Sequence, residues 1–255
     1  MSATGSGPAV RGLVGDGAAA PGSVRLLTVF SPKGGAGATT IAVNLAVALA
    51  SGMGRSVALV DACLQFGDVG VLLNLDPRTR SVMDVLVEGG DHADAIDGAL
   101  VSHTAGVRVM LAPPSPEMAE LVTVDHFRRV IQRLRETHDF VIIDCPPVFQ
   151  DHTLAVLDLS DVILGVLTLE ITSIKNMRLF LKVAEQLGYG DRVQLVLNRS
   201  NAFTGISVKN AEGALKRQIV GVIRAAVAKN ASDCVRRRAS TLVSRRRSCP
   251  AAAVP

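Results

Sequence analysis

Lys33-Gly34-Gly35-Ala36-Gly37-Ala38-Thr39-Thr40 is where the sequence concentrates residues able to do chemistry. Closely spaced glycines let consecutive backbone N–H groups converge on one anion, and a helix starting at this point adds the partial positive charge of its N-terminus. Thr39 is placed to offer its hydroxyl to Mg²⁺, and Thr40 to bind an α-phosphate oxygen. A glycine turn that merely joins a strand to a helix is the competing reading; Pro32-Lys33 and Thr39-Thr40, which bracket the glycines, weigh against it. Two acids close apolar runs elsewhere: Asp61 follows Val57-Ala58-Leu59-Val60, and Asp144 follows Phe140-Val141-Ile142-Ile143. For Asp144 the plainer alternative is an acid at a strand end facing solvent.

The elements that position these residues follow from periodicity. Val24–Ser31 reads as a buried strand, the glycine turn leads out of it, and Thr39–Ala50 reads as a helix apolar on all sides. Strand-like runs recur at Val57–Asp61, Val107–Leu111, Phe140–Asp144, Val162–Leu169, Val193–Leu197 and Ile219–Ile223. Helical patterns lie between most of them, at Ser81–Val87, Val124–Thr137, Thr153–Leu159 and Ile174–Leu187. Alternation of this kind implies parallel pairing with right-handed crossovers, so the fold class is α/β: a doubly wound, mostly parallel sheet with helices on both faces.

The chain has 255 residues, enough for one such domain with flexible ends and too few for two. Its 48% hydrophobic content with no Trp and 3% aromatics predicts a Val, Leu, Ala and Ile interior, as parallel sheets have. Residues 1–23, rich in Gly, Ala, Pro and Ser, read as a disordered leader without the apolar centre of a signal peptide, and no apolar run is long enough for a membrane helix. The expected location is therefore cytoplasmic. Cys63, Cys145, Cys234 and Cys249 have no CxxC or Cys/His spacing, so spacing indicates neither a zinc site nor a disulfide framework. Net charge is +4, but ten Lys or Arg against Asp233 after residue 215 leave the body mildly acidic and the tail basic. We expect a domain over 24–225 and a disordered basic tail over 226–255.

The loop resembles that of the MinD/ParA-type ATPases, P-loop NTPases whose deviant Walker A motif reads KGGxGK(T/S)(T/S). The resemblance implies ATP and Mg²⁺ as cofactors and a nucleotide-sandwich homodimer. Lys33 matches the signature lysine that reaches the partner's phosphates. Gly34, Gly35, Ala36, Gly37, Ala38, Thr39 and Thr40 match the nucleotide cradle, while Thr39, Asp61 and Asp144 match the groups around the metal. Asp144 with Cys145-Pro146-Pro147 resembles the Walker B turn, and Asp61 the first acid of the switch region. Asn198, in Val196-Leu197-Asn198-Arg199, matches an Asn that bonds the adenine edge, a simple Asn turn being the alternative. Two departures matter. Ala38 stands where the family has its second lysine, a loss of roughly 1.5–3 kcal/mol in phosphate contact. Cys63 stands where an acid orients the attacking water, so the expected hydrolysis is slow or absent. Asp68 is a candidate substitute for that acid, against a capping or turn role.

Longer segments, Leu64–Asp68, Leu111–Glu120, Ile174–Asn176 and Arg178–Leu181, look like the CpaE/TadZ branch of Tad/Flp pilus assembly. That likeness implies a localisation or assembly factor with pilus or secretion proteins as partners, working at the inner face of the membrane. After Ile219–Ile223 the family would place a Pro-bearing loop; this chain has Arg224 and an Arg/Ser/Cys-rich run. Two other functions stay open: a non-catalytic scaffold, suggested by Ala38 and Cys63, and a ParA-like DNA segregation ATPase, suggested by the basic tail. The tail lacks interleaved aromatics, which disfavours DNA; anionic lipid is a further target for its arginines, and a solvated charged end is the plainest reading.

Overall fold

A computed structural model describes residues 25–88, 92–201 and 204–225; the expected leader and tail lie outside them. In chain order the elements are β1 (Arg25–Phe30), α1 (Ala38–Met53), β2 (Val57–Asp61), α2 (Val69–Leu72), α3 (Val82–Val87), α4 (Ala93–Ala99), β3 (Val101–Ser102) and β4 (Val107–Met110). There follow α5 (Pro116–Ala119), α6 (Val124–Thr137), β5 (Phe140–Asp144), α7 (Asp151–Leu159), β6 (Val162–Leu167) and α8 (Ile171–Gln186). A 3₁₀ turn, β7 (Val193–Leu197), α9 (Val208–Leu215) and β8 (Ile219–Val222) complete the set.

The strands form one eight-stranded sheet in the order β3-β4-β2-β5-β1-β6-β7-β8. Every pairing is parallel except β3 with β4. The chain leaves β1 toward one edge, returns through β5, and then runs to the other edge through β6. This reversal beside β1 puts a crevice at the carboxyl ends of β1, β2 and β5, where open sheets of this kind take ligands.

Alternation along each strand feeds two cores. Leu27 and Val29 of β1, Leu59 of β2 and Ile142 of β5 face α1, whose residues 41–50 are all buried. A helix covered so completely must be apolar all round, and its one polar core residue, Asn44, donates back to the Thr40 carbonyl at 2.6 Å. On the opposite face Leu26, Phe30, Val60 and Ile143 meet α6, α7 and α8. α6 shows the usual half-buried pattern, Phe127, Val130, Ile131 and Leu134 inward, and opens on a capping box in which Thr123 and His126 serve one another.

The expected architecture is thus present, with local differences. The strand expected over Val162–Leu169 stops at Leu167 because the Thr168 N–H is taken by Ser173 Oγ at 3.0 Å, turning the chain into α8. α8 and α7 start earlier than their apolar patterns, at Ile171 and Asp151. α2, α4, α5 and α9 were not expected at all: each is eight residues or fewer, and α4 and α9 contain Gly98 and Gly213.

Candidate functional site

β1 hands over to α1 through the glycine turn, and two positions there require glycine: Gly35 at φ 76° and Gly37 at φ 93°. No side chain caps α1 at Gly37. The first N–H groups of the helix therefore stay available to an anion. The loop is braced from outside instead. Asn198 Nδ2 donates to the Ala36 carbonyl at 2.8 Å, Asn176 Nδ2 to that of Pro32 at 3.2 Å, and Ser31 Oγ to that of Lys33 at 3.0 Å. The turn and the start of α1 line a cavity of about 450 Å³ that Cys63, Asp68, Cys145 and Arg199 also reach.

Behind this cavity Asp61 and Asp144 sit side by side, paired in register at the ends of β2 and β5. Both are buried. Asp61 is oriented by two backbone donors, Cys63 N to Oδ1 and Val69 N to Oδ2, each at 3.1 Å. Burial pushes its carboxyl up to about 6, against the lowering effect of those N–H groups. Burial, and then the charge of Asp61, push Asp144 up to about 7, while the Thr39 hydroxyl and the Cys63 thiol pull the other way. Asp144 Oδ1 is fully buried and has no hydrogen-bond partner. Cys63 is half-buried with Sγ 3.9 Å from Asp144 Oδ2, and Cys145 is buried in the core. Burial, followed by the neighbouring acids, raises both thiols. An unpartnered buried carboxylate oxygen facing a like-charged neighbour is costly unless a cation joins them, so the donor set fits a divalent ion bearing oxygen ligands.

Lys33 points back onto its own chain: its Nζ pairs with Glu170 Oε2. Glu170 is held in turn by Thr168 Oγ1 at 3.1 Å. The bond from Lys33, and then that from Thr168, keep the Glu170 carboxyl below its ordinary range.

A family model described as an AAA domain (AAA_31) matches residues 24–195. An ATP-binding protein of Methanocaldococcus jannaschii is 31% identical over 198 residues, 77% of this chain and 73% of its own length. A ParA family ATPase of Chlorobium tepidum TLS superposes with a TM-score of 0.76 at 21% identity, covering 86% of this chain and 92% of that one. The septum site-determining protein MinD of Pyrococcus horikoshii OT3, solved with Mg-ADP, superposes with a TM-score of 0.70 at 23% identity, covering 86% and 89%. The chain belongs to the MinD/ParA-type P-loop ATPase family. At these identities the two solved structures speak for the fold; the family assignment rests on the sequence matches.

Within this MinD/ParA-type fold, residues 33–40 and Asp144 come together, with Thr39 acting on the Asp144 carboxyl. Asp61 lies beside them, sealed behind the 63–69 segment. Asp68 lines the cavity at the N-cap position of α2 but its side chain makes no cap bond. Asn198 is buried, with Nδ2 on the loop and Oδ1 accepting from the Arg199 N–H at 2.9 Å. Three contributors carry no signal in sequence. Glu170 pairs with a residue 137 positions away, Asn176 bonds one 144 away, and Arg199 reaches the cavity only because φ 53° turns it there after β7.

Proposed function

We propose that the chain binds ATP with Mg²⁺ and acts as a nucleotide-dependent dimeric assembly or localisation factor with slow hydrolysis. One observation carries this reading: the uncapped start of α1 faces a fully buried Asp144 whose Oδ1 lacks a partner, with Thr39 between them. That arrangement suits a polyphosphate on the helix N-terminus and a hard divalent cation on Thr39 and Asp144, with Asp61 acting on its water. Bound Mg²⁺ would supply charge neutralisation between phosphate oxygens; the chain's own share is to cradle, orient and exclude water. Lys33 carries the dimer part of the proposal through its resemblance to the signature lysine, and Asn198 the contact with adenine.

Ala38 and Cys63 support a second reading, a scaffold that binds without turnover. Likeness of Leu64–Asp68, Leu111–Glu120 and Ile174–Asn176 to the CpaE/TadZ branch supports pilus or secretion proteins as partners, and a cytoplasmic site of action with peripheral contact at the inner membrane face. Among the described residues no helix is long and apolar enough to cross a membrane. Binding of a fluorescent ATP analogue, phosphate release and light-scattering mass should be measured separately on one preparation. Binding with an ATP-dependent dimer and slow release supports the first reading, and binding without release the scaffold. Absence of binding at millimolar ATP and Mg²⁺ overturns both. Strong, salt-sensitive DNA binding that survives deletion of 226–255 would favour a ParA-like segregation role instead.

A further inference from the structure

The spacing of the cysteines indicates no metal site, yet folding sets Cys63 against two acids that are remote in sequence or sealed from solvent. Cys63 Sγ and one carboxylate oxygen each from Asp61 and Asp144 all lie within 4.8 Å of one another. Cys63 Sγ and Asp144 Oδ2 are 3.9 Å apart. Ligand atoms on a tetrahedral Zn²⁺ ion, with sulfur and oxygen at their usual distances, stand roughly 3.5 Å from each other. The cluster, bounded at 4.8 Å, thus needs a closure of at most about 1.3 Å. Two further observations point to a ligand. Asp144 Oδ1 is buried and unpartnered. Asp61 already has each oxygen fixed by a backbone N–H, leaving a second lone pair on each for an ion.

Cys63 also stands at a junction. It lines both the cavity of the glycine turn and a neighbouring one of about 440 Å³ walled by Phe66, Pro146 and Val148. A hydrated ion therefore reaches Sγ without entering the core. Thiolate ligation distinguishes cations sharply: Mg²⁺ takes oxygen donors, whereas Zn²⁺ and Co²⁺ accept mixed sulfur and oxygen sets.

We propose that Cys63, Asp61 and Asp144 form a binding site for a thiophilic divalent cation of the Zn²⁺ or Co²⁺ type, using carboxylates that the nucleotide reading assigns to Mg²⁺. As the metal–sulfur bond forms, the thiol proton passes to solvent; two carboxylates and one thiolate then surround the dication, and open positions are left for water. The ion competes with the Mg²⁺-nucleotide state because both draw on Asp144. This competition rests on the proposed function; the metal site itself does not.

The test is a Co²⁺ titration of the reduced, metal-free full-length chain, followed by absorption. The expected result is a near-ultraviolet sulfur-to-cobalt charge-transfer band that saturates at one equivalent, is lost in Cys63→Ser and persists in a Cys234→Ser/Cys249→Ser double variant. No band in the wild type, or a band that survives in Cys63→Ser, overturns the proposal. As a check that needs no variant, Zn²⁺ is expected to protect Cys63 from iodoacetamide in the wild-type protein, mapped by mass spectrometry; unchanged alkylation also overturns it. A wild type that shows the band but binds no ATP would sink the nucleotide reading and leave the metal site standing.

Discussion

Lys33 and Glu170 form an ion pair that joins the glycine turn to the N-terminal end of α8. Both side chains are partly exposed, 28% and 44%, so the pair adds at most about 1 kcal/mol to stability. Its effect on assembly is of more interest, because a lysine held by its own chain must let go before it reaches another. Glu170→Gln is expected to tighten ATP-dependent dimerisation by up to about fivefold. Sedimentation velocity at several concentrations reads this; a weaker dimer in the variant would place Glu170 in the interface rather than in a latch.

Ala38 leaves the turn one cation short. Ala38→Lys is expected to lower the Kd for ATP by roughly ten- to a hundredfold, the worth of one charge-assisted phosphate contact. Titration with a fluorescent ATP analogue decides this, and an unchanged Kd would mean that phosphate does not sit on the start of α1.

Arg199 is the second cation lining the cavity beside Lys33, and its charge also acts on Glu170. We expect Arg199→Ala to weaken ATP by about tenfold and to flatten the salt dependence of binding. Loss of the same factor for adenosine, AMP and ATP, independent of salt, would point to the base rather than the phosphates.

The paired acids make an explicit pH prediction. Asp61 and Asp144 titrate at about 6 and about 7 in the folded chain against 3.8 as the ordinary value. The folded state therefore holds protons that the unfolded state has released. Stability of the metal-free protein should fall as pH rises from about 4 to about 7 and level off above that. Asp144→Asn should remove much of the fall and stabilise the protein at pH 8 by on the order of 2–3 kcal/mol while abolishing Mg²⁺-dependent nucleotide binding. Urea unfolding across this range gives the answer; a stability that climbs with pH would mean the carboxylates are not buried together.

Gly67 packs so that a Cβ there would run into the Asp61 carboxyl and stand 2.7 Å from Ala112 Cβ. Gly67→Ala should cost about 1–3 kcal/mol. It should also disturb Asp61, visible as a weaker response of thermal stability to Mg²⁺.

The sheet was legible because its central strands are buried on both faces and so read as apolar runs: Val57–Asp61 and Phe140–Asp144 run as expected, as does Val193–Leu197 with only Gln194 interrupting it. The helices α2, α4, α5 and α9 were not, since at eight residues or fewer, two of them carrying Gly98 and Gly213, they show too little of a period. Within the site, the glycines, Thr39, Asp61 and Asp144 announce themselves by position at strand ends. Glu170 and Arg199 do not, because an acid opening a helix and an arginine after a strand are ordinary surface residues until tertiary folding gives them a neighbour. Cys63 was legible only as something missing, an acid's place left empty; its closeness to Asp144 depends on strand register.

Asn198 has a mechanical consequence. Its amide grips the Ala36 carbonyl, and the same stretch of chain is laced to the edge strand: Ile223 N–H reaches the Leu197 carbonyl at 2.8 Å, and Ser200 N–H that of Ile223 at 2.9 Å. A pull on the end of β8 is transmitted through three hydrogen bonds to the wall of the anion cradle.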